Sequence, residues 1–356
     1  MKIIHTADLH LDSAMKTNLS KEKAKLRKNE ILHTFERMVD FAKANGVKVI
    51  LIAGDLFDTK TVTVKTKDII RNCIKENQDI DFLYLKGNHD TEVMIFEDEV
   101  PLNLKTFKDS WTSYEYDDVT VAGAHLSGKN ALYESLILDK GKLNIVMLHG
   151  QEQKYVGKDK TEIVNLPLLK DKFIDYLALG HIHSYKEGRI DTRGVWAYSG
   201  CPDGRGYDEC GEKGFVLLNI ENGKLEREFI PFGSRIIEEI SADIENCKTT
   251  SDVDRIVSEK LSGISPESLV KVVLTGKVSV DCSYDVSYIE DKYKNNFFAF
   301  KIEDDKVGLK FNIEDYRYDA SLKGEFIRTV MAENYSEEEK RQIIELGIKA
   351  LSGEEL

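Results

Sequence analysis

Eight side chains that bind metals or move protons stand where apolar runs give way to polar loops: Asp8 and His10, Asp55, Asn88 and His89, His149, and His181 and His183. Five of the eight histidines occupy these places, whereas His5, His33 and His125 do not share the pattern. Imidazole, carboxylate and one amide oxygen suit Mn, Fe or Zn better than Mg or Ca, which prefer all-oxygen shells. The chemistry that uses such a set is a dinuclear metal site. One carboxylate bridges two cations about 3.5–4 Å apart, which activate a water and clamp the non-bridging oxygens of a phosphoryl group. In Asp8-Leu9-His10 and His181-Ile182-His183 the two candidate ligands are two residues apart, which sets them on one side of an extended segment.

The elements that must position these residues follow from periodicity. The run 49–53 is uniformly apolar, as in a strand buried on both faces of a parallel sheet, and it breaks at Gly54 to deliver Asp55. Open α/β folds place their ligands at that carboxyl edge. Residues 2–7, 47–53 and 81–85 read as strands, with helices at 29–45 and 66–76 between them; Ile31, Phe35, Met38, Val39 and Ala42 share one face of the first helix. This alternation implies parallel strands joined by right-handed crossovers. Strands at 119–123, 144–148 and 176–179 follow, the last two leading into His149 and His181. Residues 195–199, 214–220 and 224–232 read as antiparallel strands of a second sheet, the last two joined by an Asn222-Gly223 hairpin turn.

A boundary is expected near Pro231-Phe232-Gly233. Beyond it, strands at 236–240, 269–279 and 297–303 with helices at 252–262 and 284–294 make a smaller α+β module. Helices at 321–332 and 336–351 close the chain, and Ser336 with Glu339 forms a capping box for the second. The domains expected are 1–233, 234–312 and 313–356.

An apolar fraction of 41% is ample for a packed core, and no apolar run approaches the ~20 residues that span a bilayer. The chain enters a strand at once with no signal-peptide pattern. Five cysteines, widely spaced and without Cys-x-x-Cys, suit reduced thiols in a cytoplasm; Cys201 and Cys210 lack the further soft ligands a metal knuckle needs. A net charge of −13 does not announce a nucleic-acid binder. Charge is nonetheless segregated: Lys16, Lys21, Lys23, Lys25, Arg27 and Lys28 face one acid, Glu22, and Lys60, Lys65 and Lys67 follow Asp58. These lysines read either as solvated surface or as a basic rim beside a phosphate site.

Asp8-Leu9-His10, Gly54-Asp55-Leu56-Phe57-Asp58, Gly87-Asn88-His89-Asp90, His149-Gly150 and Gly180-His181-Ile182-His183 resemble, in order, the five blocks of the calcineurin-like metallophosphoesterases. Within that superfamily the chain is similar to the SbcD-type DNA exonucleases, and most of all to their YhaO-type relatives. Asp8-Leu9-His10-Leu11-Asp12-Ser13, Gly204-Arg205 and Gly211-Glu212-Lys213-Gly214 carry that finer likeness. The resemblance implies a four-layer α/β/β/α core with a smaller capping module. It also implies that Asp8, His10 and His183 hold one metal, that Asn88, His149 and His181 hold the other, and that Asp55 bridges them. His89 would face the scissile phosphate, with Asp90 orienting its ring, and a hydroxide held by the metals would be the nucleophile. Asp58 is expected to cap the following helix or hold its loop, and His5 to be a buried, hydrogen-bonded histidine. His125, at the end of a strand, matches no ligand position of the family. Tyr198-Ser199-Gly200-Cys201-Pro202 departs from the Pro-Gly-Ser type sequence of SbcD proteins, so substrate contacts are not carried over to this loop.

By the same resemblance the function is metal-dependent phosphodiester hydrolysis, as a DNA exonuclease or endonuclease in repair. The cofactors are two divalent transition-metal ions, Mn with Fe or Zn as alternatives. The partners are DNA ends or single strands, an SbcC-like coiled-coil ATPase docked on the terminal helices, and a second copy of the chain; no membrane is involved. A phosphatase or phosphodiesterase for a nucleotide or other non-DNA phosphoester is the alternative, and the acidic net charge favours it.

Overall fold

The computed structural model of the chain describes residues 1–15, 19–58, 62–90, 100–126, 128–152, 162–279, 282–310, 316 and 318–351. Lys16 and Lys60 of the basic stretches lie outside these residues. The chain divides into two units, Met1–Ile237 and Glu238–Leu356.

The first unit runs β1 (Lys2–Thr6), α1 (Lys21–Ala44), β2 (Val47–Ala53), α2 (Val64–Glu76), β3 (Asp81–Leu85), β4 (Leu104–Thr106), β5 (Thr112–Tyr116), β6 (Val119–Gly123), α3 (Asn130–Glu134) and β7 (Leu143–His149). It continues through the short strands β8 (Gln151–Glu152) and β9 (Ile163–Val164) to β10 (Tyr176–Gly180), β11 (Lys186–Arg189), β12 (Val195–Tyr198), β13 (Gly214–Glu221) and β14 (Lys224–Pro231). Two six-stranded sheets result, ordered β14-β13-β1-β2-β3-β4 and β11-β12-β10-β7-β6-β5. β1, β2 and β3 are parallel neighbours, as their alternation with helices requires.

Strand alternation builds the layers. Ile3, Val49, Leu51 and Leu83 turn toward Val121, Ile145, Met147 and Ala178 of the other sheet, forming the central core. Their neighbours Ile4, Ile50, Ile52 and Phe82 turn outward onto Phe35, Met38 and Ile70 of α1 and α2. On the far side, Val146, Leu148, Leu177 and Leu179 meet Tyr133, Leu166 and Leu169 of α3 and a single 3₁₀ turn, Leu166–Leu169. The order is α/β/β/α, with the second helical layer thin.

Two expectations change. The strands at 195–198, 214–221 and 224–231 do not form a sheet of their own. β12 lies parallel to β10 in the second sheet, while β13 runs antiparallel to β1 and extends the first. The reason is burial: β13 has two apolar faces, Phe215 on the helix side and Val216 and Leu218 on the central side, so it must insert between layers. The first helix also starts earlier than its apolar period, at Lys21 with Ser20 as cap, because its opening turns bury only Arg27 and, in part, Ala24.

The second unit has a three-stranded sheet of β15 (Ile237–Asp243), β16 (Leu269–Ser279) and β17 (Ala299–Lys310), with α4 (Thr250–Leu261) and α5 (Val286–Tyr293) against it. α6 (Leu322–Ala332) and α7 (Glu337–Leu351) add Ile327, Val330, Ile344 and Ile348 to the same core as Val270, Val272 and Ile302. The Ser336–Glu339 capping box is present in both directions, at 2.8 and 3.2 Å. Among the described residues no helix is long and apolar enough to cross a membrane, and all five cysteines are free thiols.

Candidate metal centre

The carboxyl edges of β1, β2 and β3 in one sheet and of β7 and β10 in the other deliver the loops singled out in the sequence. These loops are laced together by backbone. Asp8 N–H donates to Gly54 O at 3.0 Å, His10 N–H to Asp55 O at 2.9 Å and Leu11 N–H to Leu56 O at 2.9 Å. The Asp55 carboxylate accepts from His89 N–H at 2.9 Å, and Asp8 accepts from His181 N–H at 2.8 Å. Three glycines give the side chains room. A Cβ on Gly54 would lie 2.0 Å from the His149 ring, one on Gly87 2.2 Å from Asp55, and one on Gly180 1.9 Å from the Ala53 carbonyl.

Asp8, His10, Asp55 and His181 all have positive φ, at 53°, 46°, 49° and 102°. The Asp-x-His pair is therefore not extended. Two left-handed residues, rather than strand alternation, turn both side chains inward, and such a conformation costs of order 1–3 kcal/mol per residue unless the surroundings impose it. Here the lacing of the loops imposes it.

The structure brings the predicted residues into one cluster. Asp8, His10 and His183 offer ligand atoms within 4.8 Å of one another, as do Asp8, Asp55 and His149, and His149, His181 and Glu162. Asn88 Oδ1 is 3.0 Å from His149 Nε2.

The donor set fits cations. His10 Nδ1 is 3.1 Å from Asp58 and His183 Nδ1 is 2.7 Å from Glu209, so both Nδ1 atoms carry the proton and donate it to a carboxylate. The two Nε2 lone pairs then face each other at 3.1 Å. His149 repeats the arrangement: Nδ1 donates to Ala53 O at 2.9 Å, leaving Nε2 toward Asn88 Oδ1 and, at 3.4 Å, Asp55. Flipping the Asn88 amide would let it donate to Asp55, Glu162 and His149, but its oxygen orientation completes an all-acceptor shell suited to a cation. Acceptors that converge without protons between them need positive charge.

The same demand for positive charge shows in the electrostatics, which place a proton on His149. Burial works to raise the Asp55 pKa, yet hydrogen bonding and charge from His149, with His10 and the His89 N–H, hold it down at about 2. Burial works to lower His149, and Asp55 overrides it to raise the ring to about 9. His181 is lowered, by burial first and then by the His149 charge.

Two roles differ from the sequence reading. The carboxylate on the His89 ring belongs to Asp58, 3.3 Å from Nδ1, not to Asp90. Asp90 is buried and accepts from the backbone N–H groups of Leu56, Phe57 and Gly87, which fastens the second loop to the third. Asp58 does not cap α2 either; Thr63 does, accepting from Thr66 N–H at 3.2 Å. Burial raises Asp58, but hydrogen bonds from His10, His89 and Ser13 outweigh it and keep the carboxyl well below the usual range.

Sequence reasoning missed Glu209, Arg205 as a site residue, and Glu162. Arg205 donates to Glu209 through Nε at 2.8 Å and Nη2 at 2.6 Å and reaches Asp58 at 3.4 Å, tying together the carboxylates behind His183 and His10. The i,i+4 Arg205–Glu209 pair in a glycine-rich loop was the available signal. His5 is fully buried, with Nδ1 2.8 Å from the Tyr176 hydroxyl, and His125 pairs with Asp109 at 3.1 Å.

Comparison with known proteins places these features. Residues 1–185 match the family model described as calcineurin-like phosphoesterase. The chain is 27% identical over 300 residues to the uncharacterized metallophosphoesterase YhaO of Bacillus subtilis, covering 78% of this chain and 72% of that protein. It is 24% identical over 381 aligned residues to the DNA double-strand break repair protein Mre11 of Sulfolobus acidocaldarius, covering 97% and 94%. With the protein of the same name from Saccharolobus solfataricus it shares 28% over 239 residues, 61% of this chain and 60% of that one.

Proposed function

We propose, for a chain that belongs to the calcineurin-like phosphoesterase family, that the laced loops form a two-cation centre acting on the phosphodiester bonds of DNA. The enzyme is a metal-dependent phosphoester hydrolase, and its family uses a dinuclear centre. In this reading Asp8, His10 and His183 hold one cation, Asn88, His149 and His181 the other, and Asp55 both. Two divalent cations, manganese by preference with iron or zinc compatible, would lower the pKa of a water and neutralise charge on the phosphoryl oxygens.

The chain's own residues do the rest. Asp58 and Glu209 fix the ring tautomers of His10 and His183, so that Nε2 is the ligand atom in each. Half-exposed His89 keeps Nε2 free because its Nδ1 is held by Asp58. That hydrogen bond raises its pKa against the effect of burial, favouring an imidazolium that can steady the phosphoryl charge or protonate the leaving oxygen. The observation that carries the proposal is the facing Nε2 pair of His10 and His183, each backed by a carboxylate.

DNA as substrate, and a role in repair, are favoured by relatives that bear the name of DNA double-strand break repair proteins. A second reading, a phosphatase or diesterase for a nucleotide or another non-DNA phosphoester, is favoured by the net charge of −13. Assay with Mn²⁺ of linear duplex DNA beside bis(p-nitrophenyl) phosphate and p-nitrophenyl phosphate separates the two. Diester and DNA cleavage, both lost in Asp55→Asn, are expected; brisk monoester turnover without DNA cleavage at low salt overturns the nuclease reading.

A coiled-coil ATPase and a second copy of the chain belong to the same proposal. Leu322, Leu346 and Leu351 are exposed on α6 and α7 and could meet such a partner, although the inward faces of both helices are used in their own core. Co-purification without an ATPase subunit would argue against it. Free cysteines go with a cytoplasmic location.

A further inference from the structure

We propose that the first turns of α1 and α2 form a lysine rim that carries the phosphodiester backbone of a DNA strand to the candidate metal centre. Lys21, Lys25 and Lys28 of α1 and Lys65 and Lys67 of α2 make it up, and the proposal rests on the DNA reading above.

Topology puts both helix starts at the right edge. α1 and α2 follow parallel strands, so each begins on the carboxyl edge at which β1 and β2 deliver Asp8 and Asp55. Side chains confirm the placement. Thr63, the cap of α2, donates its N–H to Asp12 at 2.7 Å, four residues past Asp8. Arg27, fully buried in α1, donates through Nε to Gly204 O at 2.8 Å, and the next residue, Arg205, reaches Asp58.

The lysines of α1 point to one side. At about 100° per residue, positions 21, 25 and 28 fall within roughly 60° of one another, and 32 and 39 continue the stripe. Leu32 and Val39 are buried in the cluster that holds Ile70 and Ile74 of α2. The stripe therefore faces α2, away from the Arg27 side that packs on 203–204. α1 has 24 residues and α2 has 13, about 36 and 20 Å, so the opening turns of α1 stand beyond the start of α2. Lys65 and Lys67 stand on the first turn of α2, some 160° apart around its axis, so they flank that helix start on its two sides.

Charge makes the rim unusual. The protein carries −13, and many of its cations are neutralised locally: Lys142 by Glu115, Arg193 by Asp175, Arg227 by Glu187 and Lys271 by Glu239. Among the described residues none of the five rim lysines enters an ion pair. The nearby acid Asp68 is taken by Arg71, which leaves Glu22 as the acid of the first turn of α1. A row of unpaired ammonium groups beside a phosphoester site matches a polyanion that extends past the scissile bond, since each phosphate met releases condensed counterions.

The test compares wild type with the triple variant Lys21→Ala, Lys25→Ala, Lys28→Ala and the double variant Lys65→Ala, Lys67→Ala. Duplex DNA binding is measured over a range of KCl, with bis(p-nitrophenyl) phosphate turnover as the readout of the centre. The salt slope of log K should fall by about 0.9 for each lysine that meets a phosphate, some 2–3 units in the triple variant. Turnover of the small diester should stay within twofold, and Lys43→Ala at the far end of α1 should leave the slope unchanged. If small-diester turnover drops, the single substitutions Lys21→Gln and Lys25→Gln read the slope instead. An unchanged slope in variants of a protein that binds DNA overturns the rim alone. Failure of the wild type to bind or cleave DNA, with the small diester still hydrolysed, overturns the DNA reading and the rim with it.

Discussion

Replacing Asp58 by Asn keeps the shape of a side chain on which three donors converge and removes its charge. His10 Nδ1 at 3.1 Å, His89 Nδ1 at 3.3 Å and Arg205 Nη1 at 3.4 Å all meet the same oxygen, Oδ1. An amide oxygen there still accepts but does not strengthen the basicity of a metal-facing imidazole as a carboxylate does. Partners of this kind behind metal-bound histidines are worth 10–100-fold in metal affinity or activity, about 1.4–2.7 kcal/mol. Because Asn retains an acceptor, Asp58→Asn should fall near tenfold and Asp58→Ala toward hundredfold. Asp58 serves His10 and His89 together, so two readouts must move. Calorimetric Mn²⁺ titration should show the weakened metal site. Hydrolysis of a diester with a poor leaving group should slow more than that of bis(p-nitrophenyl) phosphate, because a poor leaving group needs a proton from His89. Metal affinity and both rates within twofold of wild type, in a variant with an unchanged unfolding midpoint, would refute the reasoning.

Three further outcomes follow from the same geometry. Gly54→Ala sets a Cβ 2.0 Å from the His149 ring at φ +96°, so the ring must leave; more than tenfold weaker binding of metal by calorimetry is expected, and full two-metal stoichiometry at wild-type affinity would contradict it. Asp203→Ala takes from Arg27 its buried carboxylate, leaving only the partly exposed Glu30, and takes from Thr34 and Ser234 their acceptor, which should cost about 3 kcal/mol in urea denaturation; a loss under about 1 kcal/mol would show that Glu30 alone suffices for Arg27. Glu30 is subject to burial that raises its pKa, but hydrogen bonds from Arg235 and Arg27 prevail and lower it below 4.5. A depressed carboxylate contributes stability above 4.5 that is lost as pH falls through its folded pKa, so the gap between wild type and Glu30→Gln should be full at neutral pH and close on acidification; a gap that widens in acid would sink the assignment.

Much of the site was legible because its ligands are chemically rare and stand at strand ends. Asp55 follows an apolar strand that could be read to the residue, 47–53, and His149 and His181 close similar runs. What could not be read was pairing across distance. Nothing local in 214–221 says that this strand inserts beside β1, because burial on both faces suits any interior position. The carboxylates behind the rings escaped for the same reason. Asp58 and Glu209 look like loop acids until the fold sets them against His10 and His183, 48 and 26 residues away. The left-handed backbone of Asp8, His10 and Asp55 was equally hidden, since it is imposed by hydrogen bonds between loops rather than by residue type.

The pairing of β13 with β1 also sets the order in which this enzyme can come into being. Lys2 lies opposite Asn219, so β1 waits for a strand more than 200 residues later in the chain. At about 5–20 residues per second, a ribosome takes roughly 10–40 s to supply it. Through that interval β1 and β2 can pair, but the far edge of β1 stays open beside some of the most apolar segments of the chain. The nascent protein should therefore depend on chaperone cover until the hairpin of β13 and β14 emerges. Truncations ending before Gly214 should aggregate rather than yield a smaller hydrolase, even though every predicted metal ligand has by then been synthesised.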